Sequence, residues 1–268
     1  MLEFLGKSML QLVNPVLFGG SVAIGTFAGI LVCLAFGRWI GKRVLARNGA
    51  RAPSVGSLEG AVFALLGLMI AFTFSGALSR YDSRRIQVVD EANAIGTAWL
   101  RLDMLPAAAQ PPLRQAMRSY VDARIATYGK LPDIAAAHKE VARSQQLQTE
   151  IWKQALAATR TSDNRGPTEM LLVTALNQMF DISAARIAAT QIHPPTIIYL
   201  MLIGLALASA LLAGYQSAAE VDPIHRFGFA TIIALTIYVI FEIEYPRLGL
   251  VQIDAIDQLL VAVRAGMN

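Results

Sequence analysis

The charged residues of this 268-residue chain are segregated from four long apolar runs. The first run falls within a charge-free stretch from Ser8 to Gly37, and the second is bounded by Glu59 and Arg80. A helix needs about 20 mostly apolar residues to cross roughly 30 Å of hydrocarbon. The pattern therefore predicts four transmembrane helices, at about 16–36, 60–79, 195–215 and 225–243.

The composition also indicates a membrane protein. Of the residues, 55% are hydrophobic and 16% are charged, whereas soluble domains are roughly 45–50% apolar and about 25% charged. Buried helices of a soluble protein rarely form four separate charge-free runs of this length.

The first run could also be a signal peptide, but it is long for one, and no small-residue cleavage pattern follows Phe36. We therefore expect it to remain in the protein as a membrane span.

Between the second and third runs, 114 residues from Arg80 to His193 hold 14 of the 23 basic and 11 of the 19 acidic residues. Prolines divide this stretch into predicted helices at about 80–105, 113–128, 133–160 and 168–192. Asp133 and Thr168 are expected to cap the last two. The predicted fold class is an all-α membrane protein with four transmembrane helices and a helical extramembrane region inserted between helices 2 and 3.

The same boundaries divide the chain into four parts. They are the N-terminal segment with helices 1 and 2 (1–79), the helical region (80–193), helices 3 and 4 (194–245) and the C-terminal segment (246–268). The loops at 37–59 and 216–226 carry the basic residues Arg38, Lys42, Arg43, Arg47, Arg51 and Arg226. The positive-inside rule places these loops in the cytoplasm. We expect the protein in a bacterial inner (plasma) membrane. The basic residues Arg80, Arg84 and Arg85 at the opposite end of the second span favour the reverse orientation.

No motif indicates catalysis. The single Cys33 excludes an intramolecular disulfide, and the three histidines are scattered without the spacing of a zinc site. We expect no catalytic residue, no metal site, no cofactor and no nucleic-acid partner. A membrane enzyme that uses Asp90, Glu91 and the C-terminal acidic residues is the least favoured alternative.

The second span has two distinct stripes. Leu68, Phe72 and Gly76 are four residues apart on one side of the helix and are candidates for a hydrophobic pore neck that gates by dewetting. The adjacent stripe is Gly60, Ala64, Gly67, Ala71 and Ser75. Small residues allow helices to pack closely, so this stripe favours helix contact. Contact with lipid or with a neighbouring helix is the alternative for Leu68 and Phe72.

Charged residues at the ends of the second and fourth spans are candidates for a pore mouth or selectivity filter: Arg80, Asp82, Arg84, Asp90, Glu242 and Glu244. Rings of arginine in an oligomer would attract anions, and rings of carboxylate would attract cations. The alternatives are headgroup anchoring by Arg80 to Arg85, pairing of Asp90 and Glu91 with neighbours four residues away, and pairing of the acidic residues of the fourth span with the Arg80–Arg85 group.

Several blocks resemble the bestrophin-like membrane protein family of unknown function. They are FALLGLMIAFTFSGALSRYDSRR (Phe63–Arg85), EANAIGTAWLRLDMLP (Glu91–Pro106), Leu211–Tyr215 and Glu242–Gly249. A more distant similarity is to bestrophin ion channels, whose leucine–glycine–leucine start and tyrosine–aspartate pair match Leu66–Leu68 and Tyr81–Asp82. The resemblance implies a homo-oligomer, pentameric in bestrophins, around a central pore with its neck at Leu68, Phe72 and Gly76.

These observations lead to two hypotheses. The first is an oligomeric ion channel in the lipid bilayer, with a pore lined by transmembrane helix 2. The pore conducts inorganic ions, and the sequence does not decide between anions and cations. The second is a non-conducting membrane scaffold whose helical region binds a partner protein.

Overall fold

The computed structural model describes residues 15–48, 56–161, 165–217, 223–247, 250–251 and 254–267, and these ranges contain helices and no strands. The α-helices are α1 (Pro15–Asn48), α2 (Gly56–Arg101), α3 (Gln110–Gly129), α4 (Ile134–Arg160), α5 (Arg165–Ala189), α6 (Thr196–Gln216), α7 (Pro223–Glu244) and α8 (Asp254–Ala265). A short 3-10 helix, Leu102–Met104, follows α2. The all-α class is confirmed.

Four of these helices, α1, α2, α6 and α7, are long and apolar enough to cross a membrane. The chain is therefore an integral membrane protein, as the four apolar runs predict. The helices extend past the predicted spans. α1 continues to Asn48 through the first half of the predicted loop at 37–59, and the 46 residues of α2 measure about 69 Å at 1.5 Å per residue. Arg51, which the sequence assigns to this loop, lies outside the described residues.

The two predicted helix caps have different outcomes. The Asp133 carboxylate accepts a hydrogen bond from the backbone N–H of Ala136 at 2.9 Å, so its cap is confirmed. Thr168 is not a cap, because α5 begins at Arg165 and Thr168 lies buried in its first turn. Pro167 does not stop the helix there, since the N–H groups of a first turn need no helical acceptor.

The chain divides into two compact units, of which the first comprises Met1–Arg80 and His193–Val251. Within it, α1 and α6 approach each other at two glycines. A Cβ atom at Gly37 would lie 2.1 Å from the carbonyl oxygen of Leu211, and one at Gly214 would lie 2.2 Å from that of Leu34. Glycine is required at both positions because any side chain would overlap the opposite backbone.

Helix α2 has the smallest buried share of the four membrane helices. Only 11% of its most apolar stretch is buried within the chain, against 33% for α6 and 39% for α7. Its buried side consists mainly of Leu66 and Ala77, which belong to a cluster with residues of α6 and α7 that includes Leu202 and Phe241. Met69 and Ile70 are half-buried against the same cluster, and the Phe63 ring contacts Phe229 of α7. Most other residues of the membrane part of α2 are exposed in the single chain.

The second unit comprises Tyr81–Ile192 and Gln252–Asn268. Its core is built from the second half of α2 with α3, α4, α5 and α8, and its fully buried members include Ile95, Leu113, Met117, Tyr120, Ile151, Leu172, Met179 and Leu260. α2 runs antiparallel to α5, because Arg84 bonds to the carbonyl of Ala189 whereas Arg101 bonds to that of Leu171. The C-terminal helix belongs to this unit and is attached to α3 by the ion pair of Arg264 with Asp122 at 2.7 Å.

Candidate pore helix

The predicted neck residues differ in their surroundings. The side chains of Leu68 and Phe72 are 51% and 67% exposed in the single chain. Gly76 is half-buried, and a Cβ atom there would lie 3.3 Å from Nη1 of Arg80. Gly76 therefore leaves room for the Arg80 side chain to fold back along the helix, a role distinct from the bulky apolar surface of Leu68 and Phe72.

The stripe of small residues is also uncovered. Its five members, Gly60, Ala64, Gly67, Ala71 and Ser75, are all exposed. Because a helix turns about 100° per residue, this stripe lies roughly a quarter of a turn from the line through Leu68 and Phe72. One side of α2 thus presents large apolar side chains, and the side next to it presents a surface on which another helix can pack closely.

At the end of the apolar part of α2, Arg80 forms a bidentate ion pair with Glu244, the last residue of α7. Nε of Arg80 lies 3.1 and 2.9 Å from the two carboxylate oxygens, and Nη2 lies 2.7 Å from Oε2. Glu244 is fully buried, and its Oε1 also lies 3.0 Å from Nδ1 of His193. The His193 ring stacks on Tyr245 with 4.4 Å between ring centroids. This is the pairing between the acidic end of the fourth span and the Arg80–Arg85 group that the sequence offered as an alternative.

The carboxylate of Glu242 binds the chain segment that follows α7. Its Oε2 accepts hydrogen bonds from the backbone N–H groups of Leu250 at 2.6 Å and Val251 at 3.3 Å. The carboxylate is buried beside Gly19 of α1. It therefore holds the chain that leaves α7 back against the end of that helix, because an ionised carboxylate forms strong hydrogen bonds with backbone N–H groups.

Arg84 and Arg85 also have partners. The buried Arg84 donates from Nε to the carbonyl of Ala189 and from Nη2 to that of Ile192, both at 3.2 Å. These carbonyls are at the C-terminal end of α5, where the helix dipole favours a cation. Arg85 pairs with Asp82 at 3.3 Å on the exposed surface.

Asp90 and Glu91 are adjacent in sequence but lie in opposite environments. Asp90 is exposed, and it has no hydrogen-bond or ion-pair partner within the described parts of the chain. Glu91 is fully buried, and its two oxygens accept from Nε of Arg124 at 2.6 Å and Nη1 of Arg186 at 2.5 Å. Pairing with neighbours four residues away is therefore wrong for both, because positions 86, 87, 94 and 95 are occupied by Ile, Gln, Ala and Ile.

The sequence did not single out the two arginines of this buried network. Arg186 also pairs with Asp257 of α8 at 2.7 Å, and Nη2 of Arg124 donates to the hydroxyl of Tyr128 at 2.9 Å. Burial alone would lower the pKa of Arg124, but Tyr128 and Glu91 raise it above its usual value, so the guanidinium stays charged. The partners are 33 and 95 residues from Glu91. No local spacing could have indicated them.

No three His, Cys, Asp or Glu side chains lie close enough together to hold a metal ion anywhere in the described ranges. The candidate charged residues of the pore mouth fall into three groups. Buried or half-buried contacts hold Arg80, Arg84, Glu242 and Glu244, and Asp82 pairs with Arg85 at the surface. Asp90 is exposed and has no hydrogen-bond or ion-pair partner among the described residues.

Comparison with known proteins identifies the family of the chain. A family model described as a bestrophin-like domain matches residues 22–256, which include α1 from residue 22 onwards and all of α2 to α7. No curated protein and no solved structure matches the chain.

Proposed function

Because the chain belongs to the bestrophin-like family, we propose that it forms an oligomeric ion channel with a pore lined by α2. The observation that carries the proposal is the exposure of α2 in the single chain, where only 11% of its most apolar stretch is buried. A helix at the centre of an oligomer needs such an uncovered surface, since one side faces the axis and the sides next to it face neighbouring subunits.

The two stripes of α2 support this arrangement. Small residues at Gly60, Ala64, Gly67, Ala71 and Ser75 permit close packing against a neighbouring subunit. The adjacent side then turns Leu68 and Phe72 towards the axis. A ring of these side chains makes a hydrophobic constriction, which stops ions when it is dry and passes them when it is wetted. By the family resemblance, the oligomer is a pentamer.

We also propose that the second unit lies outside the membrane, with the loops that follow α1 and α6 in the cytoplasm. α1 carries Arg38, Lys42, Arg43 and Arg47 at its C-terminal end. Arg43 lies over the Trp39 ring at 3.8 Å, and Trp39 stacks on Phe36. Tryptophan is enriched at both membrane–water interfaces, and an excess of basic residues is typical of the cytoplasmic side. The bacterial inner membrane is the location that this orientation implies.

The test is to reconstitute the purified protein in planar bilayers and to count its subunits by native mass spectrometry. The proposal predicts unitary currents from a homo-oligomer, five subunits by the resemblance. An assembled oligomer without currents under any applied voltage would overturn it.

That outcome would favour the second candidate, a non-conducting scaffold that binds a partner protein through the second unit. Large apolar side chains on the surface of that unit, Ile86, Leu100 and Met170, are the observation in its favour. The scaffold predicts a closed or lipid-filled axis. Imaging of the oligomer therefore distinguishes the two candidates.

A further inference from the structure

The arginines that could select anions, at the end of the apolar part of α2, already bind other groups of the chain. Arg80 is held by the Glu244 carboxylate through three contacts of 2.7 to 3.1 Å. The other two arginines of the cluster are Arg84, buried against the end of α5, and Arg85, paired with Asp82. None of the three presents an unneutralised guanidinium on the exposed side of α2.

Asp90 lies on the same side of α2 as the proposed neck. It follows Phe72 by 18 residues, which is about five helical turns and places the two residues on one line along the helix. We define the Phe72 face as the exposed residues that follow this line and do not belong to the stripe of small residues: Ala61, Leu65, Leu68, Phe72, Ser79, Ser83, Ile86, Asp90, Asn93 and Thr97. Asp90 is its only charged member among these described residues. Arg101, beyond the end of the face, is directed at α5 by its bond to the Leu171 carbonyl at 2.5 Å.

We infer that the channel conducts inorganic cations in preference to anions, and that Asp90 is the residue that determines this selectivity. The inference rests on the proposed channel function and on the Phe72 face being turned to the axis. In an oligomer with that geometry, each subunit contributes one unpaired carboxylate to a ring about 27 Å along α2 from Phe72. A ring of carboxylates raises the local concentration of cations and lowers that of anions.

The experiment measures the reversal potential of the reconstituted full-length protein across a KCl gradient, for the wild type and for Asp90→Asn. The wild type is expected to reverse towards the potassium equilibrium potential. In Asp90→Asn the ratio of cation to anion permeability should fall roughly threefold or more near 0.1 M salt, where the Debye length is about 10 Å. Asp90→Lys, which reverses the charge, should move the reversal potential further in the same direction.

Glu150→Gln is the matched control, since it removes one exposed carboxylate from α4 and should leave the reversal potential unchanged. Salt provides a second signature. At about 1 M KCl the Debye length is near 3 Å, so the difference between the wild type and Asp90→Asn should shrink. A substitution that acted by distorting the pore would keep its effect at high salt.

The outcomes separate the two proposals. An assembled wild-type oligomer without currents overturns the channel function and the inference with it. A conducting wild type that selects anions, or that keeps its permeability ratio in Asp90→Asn, overturns the inference alone and leaves the channel function standing.

Discussion

Two glycines determine how closely α1 and α6 pack in the membrane unit. At Gly37 and at Gly214, a Cβ atom would lie within 2.2 Å of a carbonyl oxygen on the other helix. Close backbone approach of this kind is a common means of helix association in bilayers, because lipid tails leave no hydrophobic drive between helices. The α1–α6 contact therefore depends on these single positions more than on its larger side chains.

Gly214→Ala is predicted to destabilise the protein. The added methyl group must displace the backbone of α1 at Leu34, and overpacking of this kind costs about 1–3 kcal/mol. Thermal unfolding of the purified protein in detergent, followed by circular dichroism, should show a midpoint lower by several degrees. Gly204→Ala on the same helix is the control, since a Cβ atom there meets nothing within 4 Å. Equal midpoints for the two variants would contradict the close approach.

At the scale of elements, the buried carboxylate of Glu91 joins three helices of the second unit. It connects α2 to Arg124 of α3 and Arg186 of α5, and Arg186 extends the network to Asp257 of α8. Removal of one partner from a buried ion pair leaves an uncompensated charge in a poorly solvated site. The network thus makes the packing of α2, α3 and α5 depend on one residue.

Glu91→Gln is predicted to destabilise the protein by about 3 kcal/mol, because it leaves Arg124 without a counter-charge. Asp90→Asn is an exacting control, since it makes the same chemical change one position earlier at an exposed side chain. Thermal unfolding should show a large loss for Glu91→Gln and almost none for Asp90→Asn. If both variants have the same unfolding midpoint as the wild type, Glu91 does not hold the helices together.

The features of this fold differ in how far they can be predicted from the sequence. The four spans follow from charge-free runs near 20 residues, and the Asp133 cap follows from a short polar side chain before a helix. These features depend on residues close together in the chain. The pairing of Glu244 with the Arg80–Arg85 group could be offered from the sequence only as an alternative, because the two residues Arg80 and Glu244 are 164 positions apart. Arg186 and Glu91 are 95 residues apart, and no periodicity links them. For the same reason, the sequence alone could not show that Asp90 is exposed and Glu91 is buried, because their environments depend on helices that are distant in the chain.

At the scale of the whole molecule, the account depends on α2 lining a pore. The membrane part of this helix has two phenylalanines that allow a direct test, Phe72 on the proposed axial face and Phe74 about 200° away around the helix. Both side chains are exposed in the single chain, at 67% and 38%. Substitution at either position removes the same apolar volume, so only their orientation in the oligomer distinguishes them.

The most direct test of the pore is therefore the unitary current of Phe72→Ala beside that of Phe74→Ala, in planar bilayers and with the assembly of each oligomer verified. Phe72→Ala is predicted to widen the hydrophobic constriction and to raise the open probability above that of the wild type, because a wider and less apolar neck is wetted more readily. Phe74→Ala should behave as the wild type does. Unchanged currents in Phe72→Ala, or equal changes in both variants, would contradict a pore lined by this face of α2.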